Sequence, residues 1–360
     1  MWDKRGDMIV HEEEPYNAEP PRQAMADQDV TPVDTFYSRN HAPIPQIDPQ
    51  GWTLRVDGMV ERPATFSLAQ LRERFSEHTE AATLQCAGNR RSGLIEVADI
   101  PGEAPWGPAA TATARWAGVR LVDVLRDVGA DPSATDVAFL GADLCDEAQP
   151  PEGFGGSIPT LKALRGEVLL AWSMNGAPLT PVHGAPLRMV VPGYIGARSV
   201  KWLERITVQD RPSENFFQAS TYRLYPPDVD PSSMGPGDGV ELGLVAVNSD
   251  VLSPTDGAEV PAGPTRITGY AFAGGDRTVA RVDVSVDGGA TWTQADLGTQ
   301  LSRWTWRHWS TTVDVPVGDV EVLARAWDSS AALQPESPAQ VWNPKGYVNN
   351  SWARVRIRGT

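Results

Sequence analysis

Residues 226–239 read Pro-Pro-Asp-Val-Asp-Pro-Ser-Ser-Met-Gly-Pro-Gly-Asp-Gly, and the hydrophobic pattern differs on the two sides of this stretch. Downstream, no segment carries the three-to-four-residue apolar spacing of a helix. Residues 266–272, 282–286, 321–327 and 353–358 instead alternate apolar and polar side chains, the period of a strand with one buried face. The second of these runs into Asp287-Gly288-Gly289 and then Thr291-Trp292-Thr293. That is a hairpin signal, because glycine supplies the positive φ that tight strand connections need. Strands at this spacing over about 110 residues predict an antiparallel sandwich of immunoglobulin type.

Upstream the pattern is mixed. Residues 52–58 alternate and end at Gly58. Ser67 and Gln70 form a capping-box pair ahead of Leu68, Leu71 and Phe75 at helical spacing. A second helix is expected over residues 121–128, with Leu121, Val124, Leu125 and Val128 on one face and Gly129 as its stop. Residues 168–172 and 187–191 read as buried strands. Residues 1–35 are polar and proline-rich, include Glu12-Glu13-Glu14, and read as an extended arm over the surface. The chain of 360 residues is too long for one ordinary core. The expected organisation is therefore an α+β domain over 1–244, arm included, followed by an all-β immunoglobulin-like domain over 245–360.

Lysine and arginine number 31 against 46 acidic residues, a formal charge of −15, which argues against a nucleic-acid partner. No run approaches the roughly 20 apolar residues of a membrane span. Met1-Trp2-Asp3-Lys4-Arg5 lacks the apolar core of an export signal, so a cytoplasmic location is expected, or a periplasmic one if such a signal was removed. Cys86 and Cys145 are the only cysteines. In a reducing compartment both are free thiols; in a secreted protein they could form a single disulfide.

Motif by motif, much chemistry drops out. There is no phosphate loop of Walker type, no dinucleotide-binding glycine fingerprint, no paired metal-binding cysteine or histidine motif, and no nucleophile elbow. What remains is Thr83-Leu84-Gln85-Cys86-Ala87-Gly88-Asn89-Arg90-Arg91-Ser92. Here a cysteine leaves a short apolar run and enters a small-residue turn backed by two arginines. Guanidinium groups favour the thiolate, the form that binds metal, and their planar fork suits an oxyanion. Further anion-binding residues sit at loop positions: Arg39-Asn40-His41, His183 with Arg188, and the glycine-spaced basic stretch of residues 193–202. An acidic protein that keeps these groups points to a large anionic cofactor.

Residues 83–91 resemble the molybdenum-binding motif of the sulfite oxidase family. In the same order along the chain, so do residues 36–41, 172–176, 183–188, 191–193 and 196–203, and in the second domain residues 281–292, 334–335 and 341–343. The likeness runs from about Glu14 to Arg356. No cytochrome b5 domain precedes it, so the haem-free plant-type enzyme is the nearest pattern. The resemblance implies molybdenum held by molybdopterin, no haem, a homodimer through the second domain, and oxidation of sulfite to sulfate by oxygen-atom transfer between Mo(VI) and Mo(IV). Electrons would pass to an external acceptor: oxygen, a cytochrome or a quinone-linked partner.

Residue by residue, the resemblance makes Cys86 the metal ligand, a soft sulfur suited to that metal. Ser199, Val200 and Lys201, with His183 and Arg188, would hold the pterin phosphate; Arg39, Asn40, His41 and Asp143 would contact the cofactor. Arg39 and Arg91 would face the substrate anion. Tyr222 would bond the oxygen that turns over, and Trp106 would line the pocket. Arg90 reads as a structural ion pair. Two departures stand out. Lys345 occupies a position where the family usually has arginine, keeping the charge but losing the bidentate fork. Residues 96–106 diverge, and a second substrate-site cation is missing there. The rival readings are a nitrate reductase, which shares the motif, and an inactive binding module that kept the fold.

Overall fold

A computed structural model describes residues 2–26 and 28–360. The expectations that touch Met1 and Asp27 lie outside the described residues. The first domain is built on two five-stranded sheets. One runs in the order Ala64–Ser67, Thr53–Gly58, Leu203–Gln209, Asp136–Cys145, Glu152–Pro159. Only the Thr53–Gly58 and Leu203–Gln209 pair is parallel. The other joins Ala177–Pro178, Leu169–Met174, Thr111–Arg120 and His78–Gln85, with Arg188–Val190 also paired to Leu169–Met174. The last strand on this path ends at Gln85, directly before the cysteine.

The two expected helices form. Leu68–Arg74 begins at a reciprocal capping box between Ser67 and Gln70. Leu121–Val128 ends at Gly129 in the left-handed conformation and buries Leu121, Val124, Leu125 and Val128. Its apolar stripe packs under the first sheet with Leu54, Val56 and Val137. Residues 1–35 are more than an arm. Ile9–Glu12 pairs with Asn17–Glu19, and the buried Glu19 carboxylate accepts the amides of Gly107 and Ala109. A buried carboxylate needs such donors, and here they come from a segment about which the local sequence says nothing.

Residues 226–239 do not hang loose. Arg223–Leu224 pairs with Val240–Glu241 across them, and Arg223 donates to the carbonyls of Gly237, Asp238 and Gly239. Beyond this fold-back lies a sandwich. One sheet has the order Asn248–Ser253, Gly263–Phe272, Arg307–Val315, Asp296–Leu297. The other has Ala258–Val260, Ala353–Gly359, Gly318–Asp328, Val279–Ser285, Thr293–Gln294. With the short Ala258–Val260 and Thr293–Gln294 edge strands set aside, the remaining seven in chain order place strands one, two, five and four in one sheet and three, six and seven in the other, the immunoglobulin order. The hairpin at Asp287 pairs Val284 with Thr293, as its glycines imply. Val251, Ile267, Val282, Val322 and Val355 fill the space between the sheets. Among the described residues the only helical turn here is the short Pro338–Gln340 segment.

The sandwich is bolted to the cysteine turn. Arg90 forms an ion pair with Asp250 at 3.1 Å and donates to the carbonyls of Ser249, Ser351 and Trp352. Val348 N–H donates to Ala87 O, and Asn349 donates to Arg90 O. The reading of Arg90 as a structural ion pair holds.

Candidate active site

The strand His78–Gln85 delivers Cys86 into a tight turn closed by hydrogen bonds from Asn89 N–H to Cys86 O and from Arg91 N–H to Gly88 O. A Cβ on Gly88 would lie 2.7 Å from the Arg91 guanidinium, so a side chain there would have to displace it. Cys86 is buried, and its sulfur accepts the Gly88 N–H at 3.4 Å. Burial raises its pKa; Arg39, Arg91 and the Gly88 amide pull the other way. The thiolate is thus costly in the bare pocket but has cationic company. Among the described residues neither Cys86 nor Cys145 is in a disulfide; both are buried thiols, and Cys145 donates weakly to Asp143.

Cys86 opens onto a cavity of about 70 Å³. Its wall also carries Arg39, Asn40, His41, Asp143, His183, Arg188, Ser199, Val200, Lys201 and Tyr222, so eleven of the candidate residues converge on one space. Six segments far apart in the chain meet here. Glycines allow the close approach: a Cβ on Gly196 would press on the Tyr37 hydroxyl and the Gln85 carbonyl.

The polar groups of the wall divide into two sets. Some are spent on protein. Arg188 donates to the carbonyls of His183 and Ser199, and burial lowers its pKa to about 10. Asn40 takes Asn17 and Tyr16 as partners, and Lys201 donates to Asn40, Arg39 O and Val182 O. Lys4 from the arm donates to Val33 O and Phe36 O and sits 2.6 Å from His183 Nε2. Others are buried without a partner among the described residues: Asp143 Oδ1 and Ser38 Oγ. Burial holds the Asp143 carboxyl well above its usual range, with Lys201 opposing. A buried polar atom left unpaired costs roughly 1–3 kcal/mol. Orphaned acceptors facing a cavity rimmed by Arg39, Arg188 and Lys201 suit a ligand that is anionic at one end and offers N–H donors elsewhere. Molybdopterin has that character, with a phosphate and an amide-bearing pterin, and a soft sulfur at Cys86 suits the metal it carries.

Three candidate residues lie off the cavity wall. Arg91 does not line the cavity. Its guanidinium meets Glu103 at 3.1 Å, donates to the carbonyls of Ala104, Lys345 and Gly346, and lies over the Tyr347 ring at 5.2 Å. Lys345 also stays off the wall, paired with the other oxygen of Glu103 at 3.2 Å. Glu103, in the divergent segment where a cation was missing, is therefore an acid shared by both cations. Trp106 is wholly buried against His11, behind the cysteine rather than in the pocket. The link from these groups to the cavity is a stack: Arg91 over Tyr347, and Tyr347 against Tyr222 at 5.5 Å.

Fold and pocket together define a molybdopterin-binding oxidoreductase. Residues 41–217 match the oxidoreductase molybdopterin binding domain, and residues 243–360 match the Mo-co oxidoreductase dimerisation domain. The chain belongs to the sulfite oxidase family. The sulfite oxidase of Gallus gallus is 42% identical over 96% of this chain and 76% of that protein. The Homo sapiens mitochondrial sulfite oxidase is 40% identical over 97% of this chain, which spans 65% of that enzyme. The Arabidopsis thaliana sulfite oxidase is 39% identical over 97% and 93%. By identity the animal enzymes are level with the plant one or slightly ahead. Among solved structures, the sulfane dehydrogenase SoxCD of Paracoccus pantotrophus superposes with a TM-score of 0.82 at 27% identity, over 97% of this chain and 86% of that one. Among the described residues no helix is long and apolar enough to cross a membrane.

Proposed function

We propose that this chain oxidises sulfite to sulfate with molybdenum held in the cavity by molybdopterin, and passes two electrons to an external acceptor. The observation that carries the reading is the convergence of Cys86, the cationic rim and the orphaned Asp143 acceptor on one buried space. When bound, the cofactor supplies a two-electron oxygen-atom transfer couple. Everything else falls to the chain. Cys86 offers the protein sulfur, while Ser199, Val200 and Lys201, with His183 and Arg188, take the phosphate end. Arg39, which has no ion pair among the described residues, draws in the substrate dianion and neutralises it. Relatives named sulfite oxidase support this substrate, whereas the Hordeum vulgare nitrate reductase is 37% identical and this chain spans only 42% of it. Sulfite and nitrate turnover, compared on protein from a cofactor-competent host, decides the matter. Oxidation of sulfite is expected, and nitrate reduction without it would reverse the assignment.

Arg91 and Lys345 complete the substrate side when Glu103 yields to an incoming anion. Glu103→Gln keeps one of the two acceptor oxygens and removes the competing charge. The Lys345–Glu103 pair is partly exposed and worth at most about 1 kcal/mol, so on its account the KM for sulfite should fall by up to about fivefold. An unchanged or raised KM would remove both cations from the substrate path. Mixing sulfite-reduced enzyme with oxygen or with cytochrome c tells these two acceptors apart. The dimerisation-domain match supports a homodimer, to be checked by sedimentation.

A further inference from the structure

Both ring nitrogens of His41 are taken. Nδ1 lies 2.7 Å from Glu147 Oε1, and Nε2 lies 2.8 Å from the Tyr222 hydroxyl. The ring is wedged between Phe154, stacked at 5.1 Å, and Phe217 at 4.6 Å. Arg39 Nη2 also approaches Nδ1, at 3.3 Å. One nitrogen cannot donate to Glu147 and accept from Arg39 at once. A carboxylate offers only lone pairs, so the shorter contact fixes Nδ1 as the N–H. Burial, with the charges of Arg39 and Lys201 opposed by Glu147, pushes the His41 pKa down to about 4, so the ring is neutral. Nε2 is then an acceptor, and Tyr222 donates its proton to it.

We propose that Glu147 is a positioning residue which, through the tautomer of His41, turns the Tyr222 O–H away from the cavity, so that Tyr222 presents an oxygen lone pair to the reacting molecules. This rests on the sulfite-oxidising reading of the cavity. An acceptor at that point does not bind sulfite, whose oxygens accept as well; it suits the water that restores the oxygen given to the substrate. His41 is thereby reassigned from cofactor ligand to the link between a half-exposed carboxylate and a pocket tyrosine.

The test uses the full-length loaded enzyme with 15N-labelled histidine. The chain has five histidines, and His41→Gln identifies the resonances. The wild type is expected to show His41 protonated on Nδ1. In Glu147→Leu the proton should move to Nε2, since Nδ1 is then free to accept from Arg39 and Tyr222 can accept from Nε2. Loss of such a supporting partner typically costs about tenfold or more, so kcat for sulfite should fall by about that factor with KM unchanged. In a Tyr222→Phe background, Glu147→Leu should add nothing, because it acts through that hydroxyl. An unchanged tautomer, or the same loss in both backgrounds, would overturn the proposal. If the wild type does not oxidise sulfite, the functional reading fails, and the tautomer measurement alone decides the role of Glu147.

Discussion

Cys86→Ser should leave a folded protein with molybdopterin bound and sulfite oxidation nearly abolished. The side chains differ by one atom, and the turn around position 86 is held by main-chain hydrogen bonds that serine keeps. A hydroxyl is a hard, weakly acidic ligand, whereas the thiolate is soft and polarisable. Mutating groups that merely support a metal ligand costs about 10–100-fold, so loss of the ligand itself should cost at least about 100-fold. The phosphate end of the cofactor is held by other segments, so pterin recovered from the variant, measured by its fluorescence after oxidation, should match the wild type. Turnover within a few-fold of wild type would remove Cys86 from the metal. Loss of pterin along with activity would instead make the cysteine part of the cofactor's anchorage.

The second large effect is on stability. Arg90 and Asp250 are almost buried and join the two domains, with Arg22 approaching Asp250 from the arm at 3.5 Å. Arg90 also sits at φ 65°, a left-handed conformation that a non-glycine residue adopts only when its surroundings hold it there. Arg90→Ala strips three carbonyls and a carboxylate of their donor. Breaking a buried pair in this way costs about 3–5 kcal/mol, and the remaining Arg22 contact argues for the lower end. A loss near 3 kcal/mol should lower Tm by roughly 5 °C or more. A thermal scan with unchanged midpoint would show that the domains are joined by other contacts.

Much of this was legible in advance where the signal was local. Helix Leu121–Val128 carries its own stripe and its own glycine stop, and residue spacing alone locates it to within a residue. The alternating strands of the sandwich are similar, because one face is wet. Strand Thr111–Arg120 is the contrary case: buried on both faces along most of its length, it has no alternation to read. The site divides the same way. Cys86, Arg39 and Tyr222 stand in recognisable motifs. Glu103 and Glu147 do not, since their meaning lies in partners 242 and 106 residues away. A lone glutamate in a divergent loop looks like any solvated acid. Arg91 is the converse: its motif marks a cation, and only the fold reveals the acid that pairs with it.

The clamp between the cysteine turn and the chain's last strands has a consequence for the order of events as the protein is made. The Ala87 and Arg90 carbonyls accept hydrogen bonds from Val348 and Asn349, and the Arg90 guanidinium donates to Ser351 O, all residues synthesised some 260 positions later. Until those emerge, the first domain can collapse around its sheets, but its metal-binding turn lacks half of its support. Closing so long a loop adds only a few kcal/mol of entropic cost but cannot begin early. The pocket should therefore mature last, and cofactor loading should be a late, post-synthetic step taken up by a chain that is otherwise already folded.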